Sequence, residues 1–114
     1  MSWFYIALAY YLNMRYTPAV HIISRKALRL FWEKYPDSEF ALARWFKIVE
    51  RSTYLSFDEL RETFPSADKV EKWIVFNIGG NKYRLITVIH FQVGKVYIRH
   101  VLTHREYEKG RWKR

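Results

Sequence analysis

Residues 73–103 read Trp73-Ile74-Val75-Phe76-Asn77-Ile78-Gly79-Gly80-Asn81-Lys82-Tyr83-Arg84-Leu85-Ile86-Thr87-Val88-Ile89-His90-Phe91-Gln92-Val93-Gly94-Lys95-Val96-Tyr97-Ile98-Arg99-His100-Val101-Leu102-Thr103. Three runs rich in β-branched and aromatic residues (72–78, 81–92 and 95–103) are separated by Gly79-Gly80 and by Val93-Gly94. Glycine accepts the positive φ of a two-residue hairpin turn, so the pattern predicts an antiparallel meander of three strands. Two-residue turns set the register: Ile78 opposite Asn81, Val75 opposite Arg84, His90 opposite Tyr97 and Val88 opposite Arg99.

Side chains alternate across a strand, so that register sorts the residues onto two faces. One face carries Ile74, Phe76, Ile78, Tyr83, Leu85, Ile89, Phe91, Val96, Ile98 and Leu102, an apolar surface awaiting a cover. The other carries Asn77, Lys82, Arg84, His90, Gln92, Lys95, Tyr97, Arg99 and Thr103, with Trp73, Val75, Ile86, Val88 and Val101 among them. A slip of one residue would exchange the faces. The cleanness of the apolar set supports the register chosen.

Upstream, the cover is visible. Ala19 to Ile23 reads as a short strand. Ser24 is a natural N-cap for a helix that puts Leu28, Phe31, Trp32 and Tyr35 on one side. Pro36 ends that helix, and Asp37 or Ser38 can start a second with Phe40, Ala43, Phe46, Ile48 and Val49. The two form a helical hairpin. Ser56 with Glu59 is a capping box for a further short helix closed by Phe64-Pro65. Asp68 to Lys72 reads as a charged turn, and residues 104–114 as a helical turn and an end segment. The fold class is therefore α+β: a helical hairpin packed on one face of a small, mainly antiparallel sheet.

Residues 1–17 stand apart from a single domain at 18–114. Trp3 to Leu12 is apolar but too short to span a bilayer, which needs about 20 residues. It lacks a basic leader and a cleavage site. Two readings stay open for it: a docked helix, or an extension ahead of a start at Met14. We expect a cytoplasmic protein that does not contact a membrane.

The 114 residues suit one domain and contain no cysteine, which excludes a disulfide framework, a thiolate nucleophile and sulfur-ligated zinc. The net charge of +9 is unevenly placed. Residues 1–71 carry ten Lys/Arg and nine Asp/Glu, whereas residues 72–114 carry ten Lys/Arg and only Glu106 and Glu108. The excess sits on the meander and tail. A sheet face with Lys82, Arg84, Lys95 and Arg99 attracts a polyanion. The four histidines show no metal-ligand spacing, and no cofactor or metal is expected. His21 and His100 fall near the apolar face and read as buried.

The strings Val75-Phe76-Asn77-Ile78-Gly79-Gly80-Asn81-Lys82-Tyr83-Arg84-Leu85, Tyr97-Ile98-Arg99 and Leu102-Thr103-His104-Arg105-Glu106-Tyr107 resemble the HigB toxin family. So do Ile22 to Leu28, Glu33-Lys34-Tyr35-Pro36, Phe64-Pro65 and the tail Tyr107 to Lys113. The resemblance covers residues 20–113. It implies a RelE-like fold and a type II toxin–antitoxin system. The toxin would be a metal-independent endoribonuclease cutting mRNA, typically during translation on the ribosome. Its partner would be a helix-turn-helix antitoxin of the HigA kind. The family's polar motif positions fall here on Asn77, Asn81, Arg84, Arg99, His104 and Tyr107. Glu108 replaces the common Asp, and position 82 is variable in the family.

Metal-free cleavage uses the RNA 2′-hydroxyl as nucleophile and needs a base, an acid and cations for the phosphorane. Arg84 and Arg99 suit the charge, because guanidinium matches two phosphate oxygens and stays ionised. His104 is the expected acid or base, and Tyr107 a proton donor or stacking platform. The catalytic set is thus Arg84, Arg99, His104 and Tyr107. Asn77, Lys82, Lys95, Tyr97, Arg111 and Lys113 are the expected RNA-binding residues. On the residues alone, a non-catalytic RNA- or ribosome-binding module and a protein that only grips an acidic antitoxin segment remain open.

Overall fold

The computed structural model describes residues 20–114. The extension expected at residues 1–17 lies outside the described residues. Strand β1 (His21–Ile23) leads into α1 (Arg25–Lys34). A 3-10 turn at Pro36–Ser38 joins it to α2 (Glu39–Glu50), and α3 (Phe57–Thr63) follows. Then come β2 (Asp68–Val70), β3 (Trp73–Ile78), β4 (Tyr83–His90), β5 (Lys95–Thr103), α4 (His104–Lys109) and a 3-10 turn at Arg111–Lys113. The sheet order is β1-β5-β4-β3-β2, with β1 parallel to β5 and every other pair antiparallel. The expected α+β architecture is present. No helix among the described residues is long and apolar enough to cross a membrane.

Several local expectations are corrected. Ser24 adopts a left-handed conformation with φ 77° and caps nothing with its side chain. Asp68–Val70 is not a turn but an edge strand, antiparallel to β3. Both meander loops hold four residues rather than two, since Ile78 pairs with Tyr83 and His90 with Lys95. Gly79 (φ 63°) and Gly80 (φ 70°) still supply the left-handed geometry that opens the first loop. The first loop takes Asn81 and Lys82 from the run after it and the second takes Phe91 and Gln92 from the run before it, two residues each, so the alternation of faces survives.

It fails at one place. Thr87 pairs with Ile98 but Ile86 pairs with His100, so Arg99 is the extra residue of a β-bulge. Past the bulge the faces of β5 exchange. Val101 joins the helix-covered core and Leu102 the opposite face, the reverse of the expected assignment. His100 and Thr103 move with them. His21 is also exposed rather than buried.

Two cores result. Between helices and sheet, Leu28, Leu42, Trp45 and Val49 meet Ile74, Phe76, Leu85, Val96 and Ile98. On the other face, Trp73, Val75, Ile86 and Trp112 form a smaller cluster with Leu102 and Tyr107 packed against it. Trp112 stands edge-on to Trp73 at 5.3 Å, is stacked with Tyr107 at 5.3 Å, and donates from Nε1 to the Tyr107 carbonyl at 3.0 Å. The C-terminal segment is therefore a lid on the second face, held by apolar burial.

Candidate active site

The lid is placed by a short chain of causes. The Thr103 hydroxyl accepts from the Glu106 amide, and Glu106 Oε1 accepts from the Thr103 amide at 2.9 Å. This capping box turns the chain sharply at the end of β5. The His104 amide donates to the Lys82 carbonyl at 2.9 Å, tying the start of α4 to the loop before β4. Tyr107, one turn later, then lies over Arg84, whose guanidinium carbon is 5.3 Å from the ring centroid.

Arg84 is 7% exposed. Its Nη1 donates to the carbonyls of Asn81 (3.3 Å) and Tyr83 (3.1 Å), and its Nη2 to Asn81 Oδ1 at 2.6 Å. No carboxylate pairs with it among the described residues. A guanidinium has five N–H donors, so Nε–H and one Nη2–H remain without a partner among those residues. A buried cation lacking a counter-charge is costly in isolation and strongly attracts an anion.

Beside it opens a cleft of about 400 Å³ walled by Phe57, Arg61, Pro65, Ser66, Ala67, Asp68, Val75, Asn77, Arg84 and Tyr107. Burial pushes the Tyr107 phenol above its ordinary value of 10.0; the Asp68 charge adds to this and the Arg84 charge opposes it. The phenol therefore stays protonated and can donate at neutral pH.

Of the sequence-predicted residues, the cleft gathers Asn77, Arg84 and Tyr107. The others lie elsewhere. His104 does not line it; its Nε2 is 3.5 Å from Glu108 and its Nδ1 is buried without a partner among the described residues. Lys82 is ion-paired with Asp37, in the link between α1 and α2, where the Tyr83 hydroxyl also donates to Asp37 at 2.6 Å. These bonds hold the Asp37 carboxyl below its usual range, Lys82 contributing most. Arg99 sits over the Tyr97 ring at 5.1 Å, and His90, which pairs with Lys95, stands edge-on to Tyr97 at 5.4 Å, forming a second patch along β5. Arg111 and Lys113 flank Trp112.

Arg61 and Asp68 are walls that the sequence reading missed. Both come from the α3–β2 segment. Seeing 68–70 as a strand would have revealed Asp68, because pairing Asp68 with Val75 puts both side chains on the face that carries Asn77 and Arg84. Among the described residues, no group of three or more His, Cys, Asp or Glu could hold a metal ion.

Comparison with known proteins shows the family of the chain. The family model described as HigB_toxin, RelE-like toxic component of a toxin-antitoxin system, matches residues 38–110, which include every wall of the cleft. The mRNA interferase toxin HigB of Escherichia coli (strain K12) is 36% identical over 92 residues, covering 78% of this chain and 88% of the relative. The mRNA interferase HigB of Shigella flexneri matches to the same extent. That of Escherichia coli O6:H1 is 31% identical over 93 residues, covering 79% and 90%. The family model spans residues 38–110 and the 36% identical relative covers 78% of the chain, so the chain belongs to the HigB toxin family, the RelE-like toxic components of toxin–antitoxin systems.

Proposed function

We propose that this toxin is an endoribonuclease that cleaves mRNA in the cytoplasm, without a metal, through attack by the RNA's own 2′-hydroxyl. The observation that carries the reading is Arg84: a buried guanidinium with no counter-charge among the described residues, in a cleft beside a protonated tyrosine. A scissile phosphate seated there meets the two unused N–H donors. As the 2′-oxygen bonds to phosphorus, negative charge grows on the non-bridging oxygens, and Arg84 stabilises it. The bond to the 5′-oxygen breaks, and Tyr107 gives that oxygen its phenolic proton. The products are a 2′,3′-cyclic phosphate and a 5′-hydroxyl. Asn77 orients the phosphate from β3, and Asn81 fixes the guanidinium.

The remaining candidates take supporting roles. Arg99, Tyr97 and Lys95 guide the RNA strand along the sheet face. Arg111 and Lys113 add backbone contacts at the lid. Lys82 anchors the loop before β4. His104, paired with Glu108 on α4, positions Tyr107 rather than moving the proton itself. A family toxin is paired with an antitoxin; we infer a helix-turn-helix protein of the HigA kind, and a ribosome-bound mRNA as substrate.

Expression of the chain without its partner should arrest bacterial growth and degrade transcripts, and Arg84→Ala should relieve both. Normal growth with intact transcripts overturns the reading. Salt-sensitive RNA binding with no cleavage on programmed ribosomes would instead establish a non-catalytic module.

A further inference from the structure

The 2′-hydroxyl proton needs an acceptor inside the cleft. Asn77 has no basic atom to offer, Arg84 and Arg61 stay protonated, and Tyr107 already holds its proton. Asp68 is the one anionic wall among the described residues. Its strand pairs with β3 so that its side chain shares a face with Val75, next to Asn77 and across from Arg84 on β4. It is exposed, and it forms no ion pair among the described residues although two arginines line the same cleft.

By charge alone a carboxylate beside the phosphate weakens RNA binding, so attraction for the backbone does not account for Asp68. We propose that Asp68 is the general base of the cleavage, taking the 2′-hydroxyl proton as the P–O2′ bond forms and the P–O5′ bond breaks. Tyr107 protonates the departing 5′-oxygen in the same step. One proton is accepted and one given, so the enzyme ends with a neutral Asp68 and a tyrosinate. Exchange with solvent restores both. Arg61, which comes from α3 and donates from Nη2 to the Pro65 carbonyl at 3.2 Å, faces the same space and holds the phosphate with Arg84.

This rests on the ribonuclease reading, and the test separates the two. Purified full chain is mixed with 5′-labelled mRNA on programmed ribosomes, and single-turnover cleavage is followed at pH 7. The variants are Asp68→Asn, Asp68→Glu, His104→Gln and, as a control, Asp58→Asn on the outer surface of α3. Asp68→Asn should slow cleavage at least 100-fold, the low end for loss of a general base. RNA binding by the same variant should be equal or tighter, since a negative charge is gone. His104→Gln should slow cleavage less than Asp68→Asn does, and Asp58→Asn should match wild type. Asp68→Glu should restore a measurable part of the rate. Circular dichroism checks that each variant folds. The proposal is overturned if Asp68→Asn stays within threefold of wild type, or if Asp68→Glu is no faster than Asp68→Asn, which would make Asp68 a positioning residue. If wild type does not cleave at all, the ribonuclease reading itself fails.

Discussion

Replacing Arg84 by methionine separates function from stability. Methionine keeps most of the aliphatic stem, and with it the contact over Tyr107, but removes the charge and three hydrogen bonds. Each charge-assisted bond contributes about 1.5–3 kcal/mol when both partners are buried. Against this stands the desolvation of an ion that is 7% exposed and has no counter-charge among the described residues, several kcal/mol by itself. Two of the three acceptors belong to exposed Asn81 and regain water when the guanidinium leaves. The opposing contributions nearly cancel, and Arg84→Met should change stability by no more than about 1 kcal/mol, or roughly 5 °C in Tm for a domain of this size. Cleavage should fall much further, by on the order of 100- to 1,000-fold, the usual effect of losing a donor aimed at transition-state charge. Thermal melting and single-turnover cleavage on programmed ribosomes measure the two quantities. A drop in Tm beyond about 10 °C would show that Arg84 is held for the fold. A rate within threefold of wild type would show that the cleft is not where RNA is cut.

Other consequences are sharper at single residues. Tyr107→Phe keeps both ring stacks but loses the donated proton, so it should melt like wild type and cleave about 100-fold more slowly. Because the phenol titrates above 10.0, the wild-type rate should fall on the alkaline side only beyond that pH. An alkaline limb near pH 8 would assign the acid to another group. Trp112→Ala should destabilise the protein by about 3–5 kcal/mol, since a tryptophan 6% exposed leaves a cavity over Trp73. A loss under 1 kcal/mol would mean that the lid is not packed. Asp37 is held below its usual 3.8 by Lys82 and Tyr83, so its stabilising contribution is complete above pH 3.8 and disappears as the pH falls through its lower folded value. Asp37→Asn should therefore lower Tm at pH 7, and the gap to wild type should narrow as the pH falls below 3.8. A constant offset across that range would refute the linkage.

The sequence carried the two sheet faces further than it carried the turns. Four-residue loops replace the two-residue turns expected at Gly79-Gly80 and Val93-Gly94, yet the faces of β3 and β4 come out as expected. Pairing moves by two in each hairpin, and two is the side-chain period of a strand. The bulge at Arg99 has no glycine or proline to mark it; its one trace is the Arg99-His100 pair, which interrupts the apolar alternation of β5 before Val101-Leu102. It moved Leu102 beneath the lid and Val101 into the helix-covered core. Asn77, Arg84 and Tyr107 were legible through their place in recognisable strings. Asp68 was not, because a three-residue edge strand containing Asp and Lys has the composition of a turn and takes its conformation from pairing with β3. The basic tail looked like an RNA-binding end, whereas Trp112 is first a packing anchor, a role that depends on long-range contact with Trp73.

The most direct test of ribonuclease action in the Arg84 cleft is the chemistry left at the cut. Purified chain is incubated with programmed ribosomes, the cleavage position is mapped, and the upstream fragment is weighed by mass spectrometry. A parallel mRNA carries a single 2′-deoxy nucleotide at that position. The expected result is a terminal 2′,3′-cyclic phosphate or its hydrolysis product from the all-ribose mRNA, and no cut in the 2′-deoxy mRNA. A 3′-hydroxyl end, or efficient cleavage of the 2′-deoxy substrate, would contradict it.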